Sequence, residues 1–187
     1  MDRFNQIEEG IRIMEGGRFQ KLCDRYLHQK YGWELNTPGS MDGSNKTTAG
    51  TPDSYLHDIS DSYILMMYGT RQDSEKKLMS DIDDAKTKAK LPKNKIKGIV
   101  CCYAGSNISA EENNKLVEYA KPYRLKLISS TTIANDLLDE YHSLALDFFD
   151  LPKWTDQINS FDKFINKHDK SKLMLHYQHP ILIKMID

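Results

Sequence analysis

At 187 residues the chain has the size of one domain, or of one domain with a tail, and it can bury an ordinary core without disulfide or metal staples. Its charges nearly cancel, 26 Lys and Arg against 27 Asp and Glu for a net charge of −1, which excludes a globally basic nucleic-acid binder and confines any phosphate-binding surface to a local patch. Apolar runs stay short of a membrane span and the N-terminus lacks the apolar stretch of a signal peptide, so a cytoplasmic protein without a membrane partner is expected.

Residues 4–31 read as helix: Phe4, Ile7, Ile11 and Met14 recur at helical spacing, and Phe19, Leu22, Cys23, Tyr26 and Leu27 do so again. The stripe changes phase at Gly16-Gly17, which predicts a break there. Residues 36–51, rich in Gly, Ser, Thr, Asn and Pro, read as a loop. Two β-like segments follow, Ser54–Ile59 and Ser62–Tyr68, joined by a turn over Asp58–Asp61. A charged helix is expected from Asp73 to Lys88 on the stripe Leu78, Ile82, Ala85. The lysine-rich stretch Lys86–Lys97, broken by Pro92, leads into the continuous apolar run Gly98–Tyr103, of the kind buried in a parallel sheet.

A helix over Ser109–Tyr123, a strand over Leu125–Ser129 and a long helix capped by Thr131 or Thr132 and ended by Pro152 complete the pattern. The second half is therefore β-α-β-α, which predicts an α/β fold with a partly parallel sheet and helices on its faces. Adjacent Cys101 and Cys102 should point to opposite faces of their strand; with Cys23 they read as buried reduced thiols. Residues 161–187 are expected to form a C-terminal helix or linker tail beyond a domain of residues 1–160.

The chemistry-bearing feature is Gly50-Thr51-Pro52-Asp53 at the opening of the hairpin. A carboxylate at the start of a strand, after a Gly-rich loop, is well placed for Mg²⁺, which takes one or two carboxylates with waters and substrate phosphate. Metal-assisted phosphodiester cleavage also needs a second acid and a cation, commonly lysine. Pro-Asp pairs are common in turns, so this pair alone does not define a site. Lys86, Lys88, Lys90, Lys93, Lys95 and Lys97 form a dense basic stretch; it serves either as a solvated flank of the next strand or, through Lys86, Lys88, Lys90 and Lys93, as a tracker of a nucleic-acid backbone. His176 and His179 are spaced like a helical metal pair but are followed by Pro180 and lack further ligands.

The order of features resembles the PD-(D/E)xK nuclease superfamily: Glu15 near Gly17-Arg18-Phe19-Gln20, a Gly-rich loop, Gly50-Thr51-Pro52-Asp53, a β-hairpin, then Tyr68-Gly69-Thr70-Arg71-Gln72. It is similar in particular to the restriction-endonuclease-like domains at the N-termini of bacterial antiviral STAND NTPases, through Gly98–Tyr103 and the helix ending Leu144-Ala145-Leu146-Asp147, up to Leu151-Pro152-Lys153-Trp154. The resemblance implies a restriction-endonuclease-like mixed β-sheet flanked by helices and a Mg²⁺- or Mn²⁺-dependent DNA endonuclease acting in antiphage defence. It implies Asp53 and Glu15 as metal ligands, a homo-oligomer, and a regulatory NTPase or sensor, fused or separate. The motif is incomplete: Met67 and Gly69 stand where the second acid and the lysine are expected. Gln72 can offer an oxygen for the acid, and Lys76, Lys77 or Lys46 a cation for the lysine. The competing expectation is a degenerate nuclease-like domain that binds nucleic acid or a protein partner without cleavage.

Overall fold

The computed structural model describes residues 2–38 and 51–151. The helical N-terminus is two helices, α1 (Arg3–Arg12) and α2 (Gly16–Tyr31). Asp2 caps α1 by accepting from the Asn5 N–H at 2.8 Å, and Gly32 ends α2 with a φ of 67°, a left-handed conformation that costs glycine little. The break falls at Ile13–Glu15, so the paired glycines open α2 rather than interrupt a continuous helix.

The hairpin is β1 (Ser54–His57) and β2 (Tyr63–Gly69), paired antiparallel with Ser54 opposite Met66 and His57 opposite Tyr63. Helix α3 (Ser74–Thr87), capped by Asp73, crosses to β3 (Ile96–Tyr103); α4 (Ala110–Ala120), with a Ser109/Glu112 capping box, crosses to β4 (Arg124–Ser129). Both crossovers join parallel strands, and the sheet order is β1-β2-β3-β4. The chain is thus α/β, a four-stranded mixed sheet flanked by helices.

The single long C-terminal helix expected from Thr131 or Thr132 is instead α5 (Ser130–Asp139) and α6 (His142–Phe148). The cap is Ser129, whose extended backbone ends β4 while its hydroxyl accepts from the Thr132 N–H at 3.2 Å. The helix breaks where the Glu140 and Tyr141 N–H groups both donate to the Asp136 carbonyl, and the Tyr141 ring packs edge-on against Tyr26.

Alternation along the strands makes two cores, one on each side of the sheet. Met66, Tyr68, Val100, Cys102 and Ile128 pack with α1, α2, α5 and α6. Leu65, Met67, Ile99, Cys101 and Tyr103 pack with α3 and α4. Cys101 and Cys102 fall on opposite sides, and all three cysteines are buried and reduced. Among the described residues no helix is long and apolar enough to cross a membrane.

Candidate active site at Asp53, Lys77 and Asp81

Asp53 immediately precedes β1 and is already in its hydrogen-bonding register, donating its N–H to the Met66 carbonyl at 3.1 Å. Its Oδ2 accepts the Tyr68 N–H at 2.7 Å, and its carbonyl accepts from Nε2 of the buried Gln20 at 3.1 Å. The carboxylate is thus tied to β2 and the backbone to α2. Burial pushes its pKa up to about 6; the Tyr68 N–H and the Lys77 charge oppose that rise, while Asp81 and Asp24 add to it.

The second acid comes from α3. Asp81 is 3% exposed and lies in the helix's apolar stripe with Ser74, Leu78 and Ala85. One turn earlier, Lys77 donates its ammonium to Asp81 Oδ1. Burial still leaves the Asp81 carboxyl above its ordinary range, so desolvation outweighs the attraction of the lysine.

Glycine at position 69 makes room for this pair. A Cβ there would stand 3.0 Å from Lys77 Cγ, 3.3 Å from its Cε and 3.4 Å from Asp81 Oδ2. The volume that a side chain at 69 would occupy is therefore filled by Lys77 and Asp81. Met67, two residues earlier, is 4% exposed and belongs to the α3-side core.

A polar cluster supports the site from the other side of the sheet. Asp24 of α2 accepts from the Tyr68 hydroxyl at 2.6 Å and from Ser54 Oγ at 2.7 Å. Burial raises its pKa, and those hydroxyls and Thr37 partly offset the rise. Tyr68 is the link, since its backbone holds Asp53 and its ring oxygen holds Asp24.

The expected site residues are thus only partly brought together. Lys77 is near enough for its charge to act on Asp53, and its own hydrogen bond goes to Asp81. Glu15 is the exposed N-cap of α2, with neither a side-chain cap bond nor any hydrogen bond or ion pair to Asp53. Gln72 has an exposed side chain, and its carbonyl is taken by the N–H and hydroxyl of Ser106. Lys76 is exposed and paired with Asp73 at 2.9 Å. Lys46 and residues 161–187 lie outside the described residues.

The basic run divides as well. Lys86 donates to the Tyr119 carbonyl with its ammonium 4.7 Å from that ring's centroid, and Lys88 pairs with Asp84 at 2.7 Å. Lys90 and Lys93 are exposed.

Asp81 and Gln20 were not anticipated as site residues. Their signal is a polar side chain inside an apolar stripe, a position where an unpaired polar group would be costly.

Among the described residues no three His, Cys, Asp or Glu side chains are grouped to hold a metal. Asp53 and Asp81 are two hard-oxygen donors beside one lysine; the Asp81 charge raises the proton affinity of Asp53, while Asp81 itself feels Lys77, Asp84 and Arg71. That donor set fits a hard cation that keeps much of its water, such as Mg²⁺, better than a protein-only cage.

No family model matches this chain, and it matches neither a curated protein nor a solved structure.

Proposed function

We propose that this chain is a PD-(D/E)xK-type endonuclease domain in which the second acid and the lysine are supplied by α3 instead of β2. One observation carries the reading: Lys77 and Asp81 fill the space over Gly69, and the charges of both act on Asp53. The incomplete motif is then complete in space. Asp53 and Asp81 would hold the Mg²⁺ or Mn²⁺, which when bound supplies Lewis-acid polarisation of a phosphodiester.

The chain's own residues do the positioning. The Tyr68 N–H and Gln20 fix Asp53 in one orientation before substrate arrives. Lys77 carries a cation on a flexible stem next to the carboxylates, placed to orient a water or to meet charge developing on phosphate. Loss of such an electrostatic donor costs about 10²–10³ in rate. DNA as substrate, a role in antiphage defence and control by an NTPase or sensor rest on the resemblance described above.

The rival reading is a non-cutting domain in which Lys77–Asp81 only braces α3 against β2. Supercoiled plasmid and single-stranded circular DNA incubated with Mg²⁺ or Mn²⁺ separate the two. Cleavage by the wild type that disappears in folded Asp53→Ala and Asp81→Asn is expected. A folded wild type that cuts neither substrate, at any protein concentration or with either metal, overturns the nuclease reading.

A further inference from the structure

The hairpin carries aromatic rings that the chemistry at Asp53 leaves unused. Ser54 and Leu56 belong to the α2 side of the sheet, so strand alternation turns Asp53, Tyr55 and His57 toward the α3 side. Successive members of that row are about 7 Å apart along the strand. His57 sits directly opposite Tyr63 in the register, and their rings are parallel, with centroids 4.5 Å apart and an interplanar angle of 6°. Tyr55 meets Tyr63 edge-on at 6.0 Å. One face of the imidazole is covered by Tyr63 and its Nε2 is engaged by Asp61 at 3.0 Å, so the 46% exposure of the His57 side chain is concentrated on its other face.

An open groove of about 620 Å³ runs alongside. Pro52 and Tyr55 line it on the hairpin side, and Asp84, Lys88, Lys90 and Leu91, from the end of α3 and the residues after it, line it on the other. Lys88 is offset by Asp84, whereas Lys90 is exposed and has no ionic partner among the described residues.

We infer that this groove and the rings that adjoin it through Tyr55 bind a single strand of nucleic acid, its backbone along Lys88 and Lys90 and its bases on Tyr55 and the neighbouring Tyr63–His57 stack. A cationic wall facing aromatic platforms is the arrangement that takes unpaired strands, because every base presents a flat face for stacking. A duplex hides those faces in its own stack and offers phosphates and groove edges, leaving the rings without a partner. A base laid on the open face of His57 extends a stack already two rings deep. The inference rests on the nuclease reading of the Asp53 site and specifies its substrate as single-stranded.

The test is fluorescence anisotropy of the full chain in EDTA with a labelled oligonucleotide, single-stranded and then annealed to its complement. The single strand is expected to bind about tenfold tighter or more, and His57→Ala and Lys90→Glu should each weaken it about fivefold or more. Lys90 is exposed, whereas His57 gives up its stack on Tyr63 and its bond to Asp61, so thermal melting of each variant confirms that it is folded at the assay temperature. Equal or tighter binding of the duplex, no binding of either, or unchanged affinity in both folded variants overturns the inference. Because no divalent ion is present, binding is scored apart from cutting. Single-strand binding without cleavage in Mg²⁺ or Mn²⁺ sinks only the nuclease reading, and cleavage without strand preference in binding sinks only this one.

Discussion

Lys77 of α3 lies over Gly69 of β2, with its Cγ 3.0 Å and its Cε 3.3 Å from where a Cβ at position 69 would stand. A strand position without a side chain and a helix lysine reaching across it are two halves of one arrangement. If the cation's place in space matters more than its place in the chain, it can be moved back. Lys77→Ala should lower cleavage by about 10²–10³ and, by leaving Asp81 without its partner, cost up to about 3 kcal/mol of stability. Adding Gly69→Lys to that variant should recover part of the lost rate, since the space over β2 is then free. Initial cleavage rates at matched folded fraction decide this. A double variant no faster than Lys77→Ala would show that the position on α3 is itself required.

In the nuclease reading, Asp81 and the additional helix acid Glu15 are alternative partners for Asp53 at a metal, and of the two only the Asp81 charge acts on Asp53. Asp81→Asn should abolish cleavage, whereas Glu15→Gln should leave the rate within about twofold and stability within about 0.5 kcal/mol, as for ordinary exposed positions. Parallel plasmid assays and thermal melts of the two variants measure this. A large loss of rate in Glu15→Gln, with Asp81→Asn active, would move the metal site toward α2.

Burial raises the Asp53 pKa to about 6. The native state therefore holds this proton more tightly than the unfolded chain does. The group favours folding below about pH 4, near its ordinary value, and that contribution is lost as the pH climbs through about 6. At pH 7.5 the ionised carboxylate opposes folding, so Asp53→Asn should be more stable than wild type by up to about 3 kcal/mol while failing to cut. The difference should vanish toward pH 4. Denaturant titrations across this range check the sign, and a variant less stable than wild type at pH 7.5 would contradict it. Proton competition should also weaken Mg²⁺ binding as the pH falls below about 6.

The lysines of the basic run should behave differently from one another. Lys90 and Lys93 are exposed, and changing both to Glu should weaken nucleic-acid binding and lower the slope of log affinity against log salt by about 1.4 for a single strand. Lys86 is committed to the Tyr119 carbonyl and ring. Lys86→Gln should therefore lower the melting temperature with little effect on the salt slope. An unchanged slope in the double variant would leave Lys90 and Lys93 as solvated surface.

Local pattern determined much of this fold. The short β-like segments of the hairpin, the apolar run Gly98–Tyr103 and the apolar stripe of the charged helix α3 place those elements within a few residues of where they form, because each depends on side chains adjacent along the chain. The alternation of side chains across a strand puts Cys101 and Cys102 into separate cores. Asp53 is legible too, since a Gly-rich loop and Pro52 precede it at the opening of a strand.

Where local signals compete, the outcome is tertiary. Ser129, Thr131 and Thr132 can all cap a helix, and the end of β4 selects Ser129. Nothing near Tyr141 in the chain announces the break between α5 and α6; packing against Tyr26 accompanies it.

The candidate site depends still more on packing. Met67 and Gly69 mark a gap in the linear motif, but only the docking of α3 on β2 puts Lys77 and Asp81 into it. Gln20 and Asp24 reach the hairpin across 33 and 30 residues, contacts that no local periodicity encodes. The sequence by itself determined most of the elements, and it offered Asp53 and, among several lysines, Lys77 for the candidate site. Burial and the close approach of α3 to a side-chain-free strand position added Asp81 and singled out Lys77, because a carboxylate and a lysine can share one desolvated space only when the fold brings both to it.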